Sequence, residues 1–153
     1  MIYRAFGDPA ALSVARRLAA LCRAKGLIFL VGADEALAAA SGAQGLHLPE
    51  RDLARAPVIR ARRPGWILSC AAHSPRALAR AAAAGLDAAL VSPVFNSRSP
   101  SAGAPMGPLR FAQLVRGARL PAYALGGVDM KNARRLWASG AVGIAAVDAV
   151  SRI

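Results

Sequence analysis

Little in this chain supports a disulfide-stapled, zinc-bound, exported or membrane-spanning protein. It has two cysteines, Cys22 and Cys70, too far apart for a ligand-type pair, which excludes a disulfide framework and a zinc knuckle and makes a reducing cytoplasm the expected setting. Aromatic residues make up 5%, and no apolar run approaches the roughly 20 residues that cross a bilayer. The opening MIYRAFGDP has no apolar core of the kind a signal peptide carries, so neither export nor membrane insertion is expected. Two charged residue types are scarce. Lysine occurs only at Lys25 and Lys131 and glutamate only at Glu35 and Glu50.

What is present is alanine, arginine and short apolar runs. Hydrophobic residues account for 56% of 153 positions, enough for one domain spanning 1–153 with a sizeable core. The net charge of +12 raises the question of a nucleic acid or other polyanion. The arginines, however, are spread over almost every predicted helix. The densest group, Arg51, Arg55, Arg60, Arg62 and Arg63, has only Trp66 to supply an aromatic face. A solvated arginine-rich surface accounts for this pattern, and nucleic-acid binding remains a reading carried by charge alone.

The order of elements is repetitive. Residues 2–5 form a short apolar start, and Gly7-Asp8-Pro9 opens a helix running to about residue 25, whose Leu12, Val14, Ala15, Leu18, Leu21 and Cys22 recur at helical spacing. Strands are predicted at 27–31, 45–48, 66–70, 88–94, 120–125 and 142–147, and helices at 34–40, 76–84, 108–117 and 129–139. Residues 49–64 read as an irregular basic connector with a weak helical turn near 52–56, and 95–107 as a polar, Pro/Gly-rich loop long enough to suggest a functional role. Seven strands alternating with helices predict a parallel α/β fold, either an eight-stranded barrel or an open doubly wound sheet. In both, ligands bind beyond the C-terminal strand ends, where this chain gathers Arg4, His47, Asp52, His73, Ser92, the Asn96-Ser97-Arg98-Ser99 run, Gly126-Gly127 and Asp148. Each of these also has a plain structural reading, as a cap, a turn or a backbone-bonded histidine.

The unit 120–150 is the most explicit. A strand, a Gly126-Gly127 break, a helix and a second strand make a βαβ piece, and glycines between strand and helix let a phosphate approach unpaired N–H groups. Gly-Gly is also ordinary turn chemistry.

Taken together, Gly45-Leu46-His47-Leu48 with Asp52, the strand-end His73, Ser92-Pro93-Val94-Phe95 and its Ser-Arg-Ser loop, Ala124-Leu125-Gly126-Gly127-Val128, Asn132 and Gly143-Ile144-Ala145-Ala146-Val147 resemble the thiamine phosphate synthase and thiazole tautomerase family. The resemblance implies a TIM-type (β/α) barrel in which residues 2–5 are the second strand, so the barrel is expected to be incomplete: seven strands, without the first βα unit or the last helix. It implies a transferase of thiamine biosynthesis that joins a pyrimidine diphosphate to a thiazole phosphate with Mg2+, a reaction in which the departing diphosphate must be neutralised by metal and cationic side chains. It gives Arg4 a catalytic, cationic role and Asp52 a metal role; Arg98 is assigned a catalytic, cationic role as the replacement for a loop lysine that this chain lacks. His73, Ser97, Ser99, Gly126, Gly127, Val147 and Asp148 fall to phosphate or substrate binding.

The chain also departs from the resemblance. Ala33 stands where the first magnesium aspartate is expected, Ala71 where the Ser-Thr-His motif has serine, Pro100 where a loop lysine is expected, and Asp148 where the phosphate turn has serine. Asp34 and Arg98 are the neighbours that could substitute for a lost ligand and a lost cation. Pro93 occupies the tautomerase histidine position, which disfavours that branch. A relative of altered specificity, binding a small phosphorylated ligand without this turnover, is therefore kept as the alternative. Open sheet edges lead to an expected homo-oligomer.

Overall fold

The computed structural model describes residues 1–97 and 103–147, in two compact units, Met1–Ser69 and Cys70–Ile153. The first unit contains β1 (Ile2–Tyr3), α1 (Ala11–Ala24), β2 (Leu30–Gly32), α2 (Glu35–Ser41), β3 (Gly45–Leu48), a 3-10 turn (Glu50–Arg55), α3 (Ala56–Arg62) and the opening residues of β4 (Ile67–Ala72). The second contains the rest of β4, α4 (Pro75–Ala83), β5 (Ala88–Val91), α5 (Gly107–Arg116), β6 (Ala122–Ala124), a 3-10 turn (Ala133–Leu136) and β7 (Gly143–Ile144). In each unit the strands are parallel and follow chain order, without the reversal a doubly wound sheet requires. Within each unit that order is the one a barrel-type fold uses.

Alternation sets the two faces of the first unit. Val31, Leu46, Leu48 and Leu68 are buried on the helix side with Leu53 and Ile59, while Gly32, Gly45, His47 and Ser69 occupy the other face. Alanines make the close packing possible. Ala15, Ala19 and Cys22 are the buried residues of α1, which packs against α2 through short side chains. In the second unit Cys70, Ala89, Val91, Val94, Ala122 and Ala124 are buried with Ala77, Leu78, Ala81 and Phe111 of the helices. Each fully buried Leu or Phe contributes about 1.5–3 kcal/mol.

Three sequence expectations need correction. The strand predicted at 27–31 forms only from Leu30, because the helix end at Gly26 (φ 64°) is closed by Leu27 N–H donating to the Cys22 carbonyl, and Leu27 and Ile28 remain about half exposed. The connector 49–64 is helical for most of its length, because Leu53, Ala56 and Ile59 recur every third residue and all are buried. The helix expected over 129–139 shrinks to the turn Ala133–Leu136. Here side chains compete with the helical ladder: Asp129 Oδ1 accepts from Lys131 N and Asn132 N, and Asn132 Oδ1 accepts from Asp129 N. The expected strands 88–94, 120–125 and 142–147 are present but shorter, as Ala88–Val91, Ala122–Ala124 and Gly143–Ile144, with irregular ends. Side chains cap two of the helices, α2 and α4: Asp34 accepts from Leu37 N at 2.8 Å and Ser74 from Ala77 N at 3.1 Å.

Candidate functional site

In the first unit one row of residues crosses four adjacent strands. Tyr3 pairs with Val31 and Gly32 with His47, so Arg4, Gly32, His47 and Ser69 lie at one level on one face. A Cβ at Gly32 would come within 2.9 Å of Arg4 Cγ, so any larger residue there would displace the arginine. The arginine therefore lies over the bare glycine, and its guanidinium is 4.4 Å from the Phe6 ring centroid, a cation–π contact. Among the described residues no carboxylate pairs with it. His47 Nδ1 lies 3.0 Å from Ser69 Oγ, and burial, reinforced by the Arg4 charge, lowers the pKa of His47 to about 4. At neutral pH the ring is uncharged beside a fixed cation.

The expected metal position does not assemble. Ala33 has no donor, Asp34 uses its carboxylate to cap α2, and Asp52 pairs with Arg55 at 3.7 Å. Among the described residues no three His, Cys, Asp or Glu side chains cluster in a way that could hold a metal ion. The donor set of the described residues by itself thus does not fit a bound Mg2+. Next to these residues an open groove of about 600 Å3 is lined by Ala33, Asp34, Glu35, Ala36, Ala39, Arg55 and Arg63. Its charges largely cancel, with Glu35 2.8 Å from Arg62 and 3.9 Å from Arg55. These are surface pairs, each contributing at most about 1 kcal/mol.

The second unit builds its strand ends from backbone. His73 Nδ1 donates to the Ser92 carbonyl at 2.7 Å, and the following Ser92–Pro93 bond is cis. Val94 N–H donates to the Leu125 carbonyl and Phe95 N–H to that of Gly126, which binds the loop after β5 to the turn after β6. A Cβ on Gly127 (φ 63°) would lie 2.1 Å from the Asn96 carbonyl oxygen, and one on Gly126 (φ 92°) 2.7 Å from Pro93 Cα, so both glycines are demanded by close backbone approach. Asn132 Nδ2 donates to the Gly127 carbonyl at 2.8 Å. The N–H groups of Gly126 and Gly127 have no acceptor among the described residues.

Of the residues singled out from sequence, Arg4 joins His47 in the first unit and His73 joins Ser92 in the second. Asp52 belongs to the Arg55 pair, Ser97 is half-buried in the loop after β5, and Val147 is exposed after β7. Arg98, Ser99, Pro100 and Asp148 lie outside the described residues. Sequence reasoning missed Ser69. Its signal was alternation: in β4, Ile67, Ser69 and Ala71 share a face, and a serine at 69 faces the row to which His47 belongs.

A family model described as thiamine monophosphate synthase matches residues 2–150. The thiamine-phosphate synthase of Aromatoleum aromaticum is 39% identical over 155 residues, covering 97% of this chain and 73% of that protein. That of Methanoculleus marisnigri is 36% identical over 143 residues, covering 91% and 66%. The solved structure of thiamine phosphate pyrophosphorylase from Pyrococcus furiosus superposes with a TM-score of 0.82 over 95% of this chain and 70% of its own, at 24% identity, a likeness of fold. The chain spans between 30% and 73% of the length of the curated relatives that it matches most strongly. Among the described residues no helix is long and apolar enough to cross a membrane.

Proposed function

The chain belongs to the thiamine monophosphate synthase family, a family of transferases with a TIM-type barrel fold, and on that premise we propose that it couples a pyrimidine diphosphate to a thiazole phosphate. The observation that carries the proposal is Arg4, a cation with no carboxylate partner among the described residues, held at a parallel strand end beside a neutral histidine. A group in that position attracts the diphosphate and stabilises charge as it leaves, without first breaking an ion pair. In the second unit the Gly126 and Gly127 N–H groups supply donors for a phosphate monoester, with Asn132 fixing the turn from behind. Arg98, Ser97, Ser99 and His73 complete the substrate-handling set in this reading.

Incubating the protein with both precursors, with and without Mg2+, tests the proposal. Thiamine phosphate and pyrophosphate are the expected products; intact precursors after prolonged incubation overturn it. The missing donors at Ala33, Ala71 and Pro100 favour one second reading, a relative that binds a phosphorylated ligand without this turnover. Calorimetric binding of thiazole phosphate by a protein that forms no product is its expected outcome.

The same reading takes the reducing cytoplasm as the setting, in keeping with Cys22 and Cys70, which are free and buried. It also takes a homo-oligomer as the working state. β1 pairs only with β2 among the described residues, and Met1, Phe6, Leu27 and Ile28 are 49–81% exposed close to that edge. Light scattering at micromolar concentration is expected to give at least twice the mass of one chain, and a monodisperse monomer overturns this part.

A further inference from the structure

Ser69 is 2% exposed, and the hydrogen-bond partner of its hydroxyl is His47 Nδ1 at 3.0 Å. A buried hydroxyl whose hydrogen finds no acceptor costs about 1–3 kcal/mol, and no described side-chain polar atom in the interior is left unsatisfied. Were the imidazole to donate from Nδ1, the serine hydrogen would have no acceptor among the described residues. The arrangement that satisfies both groups has Ser69 O–H donating to the Nδ1 lone pair, which leaves the ring hydrogen on Nε2.

We infer that Ser69 is a positioning residue that fixes His47 as the Nε2–H tautomer, so that the ring offers a neutral N–H donor to a phosphate oxygen of the substrate beside the Arg4 guanidinium. The tautomer rests on geometry alone. The donor role rests on the proposed function. Strand alternation explains how the serine came to matter. The hydroxyl that the family resemblance expects at Ala71 is absent, and Ser69 stands two residues earlier on the same face of β4, about 6.6 Å away along the strand. At that distance it cannot take over a direct contact made from position 71. It works instead through the neighbouring ring.

The test is nitrogen-15 NMR of the two imidazoles, His47 assigned by its loss in His47→Gln. At neutral pH the expected His47 signature is a pyridine-type Nδ1 and a pyrrole-type Nε2; the reverse pattern overturns the inference. Ser69→Ala, with Ser69→Cys as the variant that keeps volume but donates poorly, is expected to mix the two tautomers, and an unchanged pattern in both removes Ser69 from the role. Titration with inorganic pyrophosphate is expected to shift the Nε2 signal and to bind about threefold to tenfold more weakly in Ser69→Ala. An Nε2 unmoved by pyrophosphate overturns the donor half while leaving the tautomer standing. A wild-type protein with the expected tautomer and no synthase activity would overturn the proposed function instead.

Discussion

The two histidines, one in each unit, use the same ring nitrogen in opposite ways. His73 Nδ1 faces a carbonyl, which can only accept, so this nitrogen carries the hydrogen; His47 Nδ1 faces a buried hydroxyl and receives one. The contrast extends to the surroundings. The first unit places its chemistry in side chains held at one level across parallel strands, Arg4, His47 and Ser69, while the second places it in backbone, with glycines at positive φ pressed against the loop after β5. A side-chain site tolerates substitution of its scaffold more readily than its donors. A backbone site does the opposite.

The sharpest way to break this comparison is Gly127→Ala. The new methyl would meet the Asn96 carbonyl at 2.1 Å in a backbone conformation with φ 63°, and the expected loss is about 4 kcal/mol in urea unfolding. A loss below about 1 kcal/mol would show that the turn relaxes and that the backbone account of the second unit is wrong.

Next in size is a pH effect confined to the first unit. The folded pKa of His47, about 4, lies below its ordinary value of 6.5. Between these values the unfolded chain binds a proton that the folded one refuses, so stability falls as pH drops from about 6.5 to about 4 and the effect then saturates. The depression amounts to about 3 kcal/mol in total. His47→Gln is expected to flatten the unfolding free energy across that window; an unchanged slope would assign the pH dependence to other groups.

Asn132→Ala should cost about 1–2 kcal/mol. It removes the donor to the Gly127 carbonyl and the acceptor for Asp129 N, leaving the turn after β6 unsupported from behind. Weakened thiazole phosphate binding, with pyrophosphate binding unaffected, would sharpen the separation of side-chain and backbone sites. Equal loss of both ligands would blur it. The smallest expected effect is that of Arg4→Ala on His47. Removing the neighbouring cation should raise the pKa, but not restore 6.5, because burial is the larger cause. NMR titration of the ring measures this, and a full return to the ordinary value would reverse the order of the two causes.

Much of the fold was legible because it rests on local regularities. Capping residues Asp34 and Ser74, the stops at Gly26, Gly42 and Gly85, and alternating strands and helices all act through near neighbours in sequence, and so the parallel α/β class could be read directly. Where local signals competed, reading failed. The helix expected over 129–139 was lost to Asp129 and Asn132, whose side chains occupy the backbone groups a helix needs, and 49–64 gained helix because apolar residues three apart found a surface to bury against. The site divided in the same way. Arg4 and the glycine pair stood out by position at strand ends, whereas Ser69, an unremarked strand residue, acquired a role only from its neighbour on β3.

The sequence alone determined which residues could lie at strand ends and how their chemistry would be constrained by type: a cation at 4, a neutralisable ring at 47, bare backbone at 126 and 127, and no carboxylate at 33. Tertiary structure decided what those residues do to one another. Register sets Arg4 across the bare Gly32 from His47, where its charge acts on the ring, and brings Ser69 against its Nδ1, although Arg4 and Ser69 each lie 22 or more residues from His47 in the chain. No local pattern encodes a tautomer or a lowered pKa, because both are set by burial and by partners that meet only when strands pair.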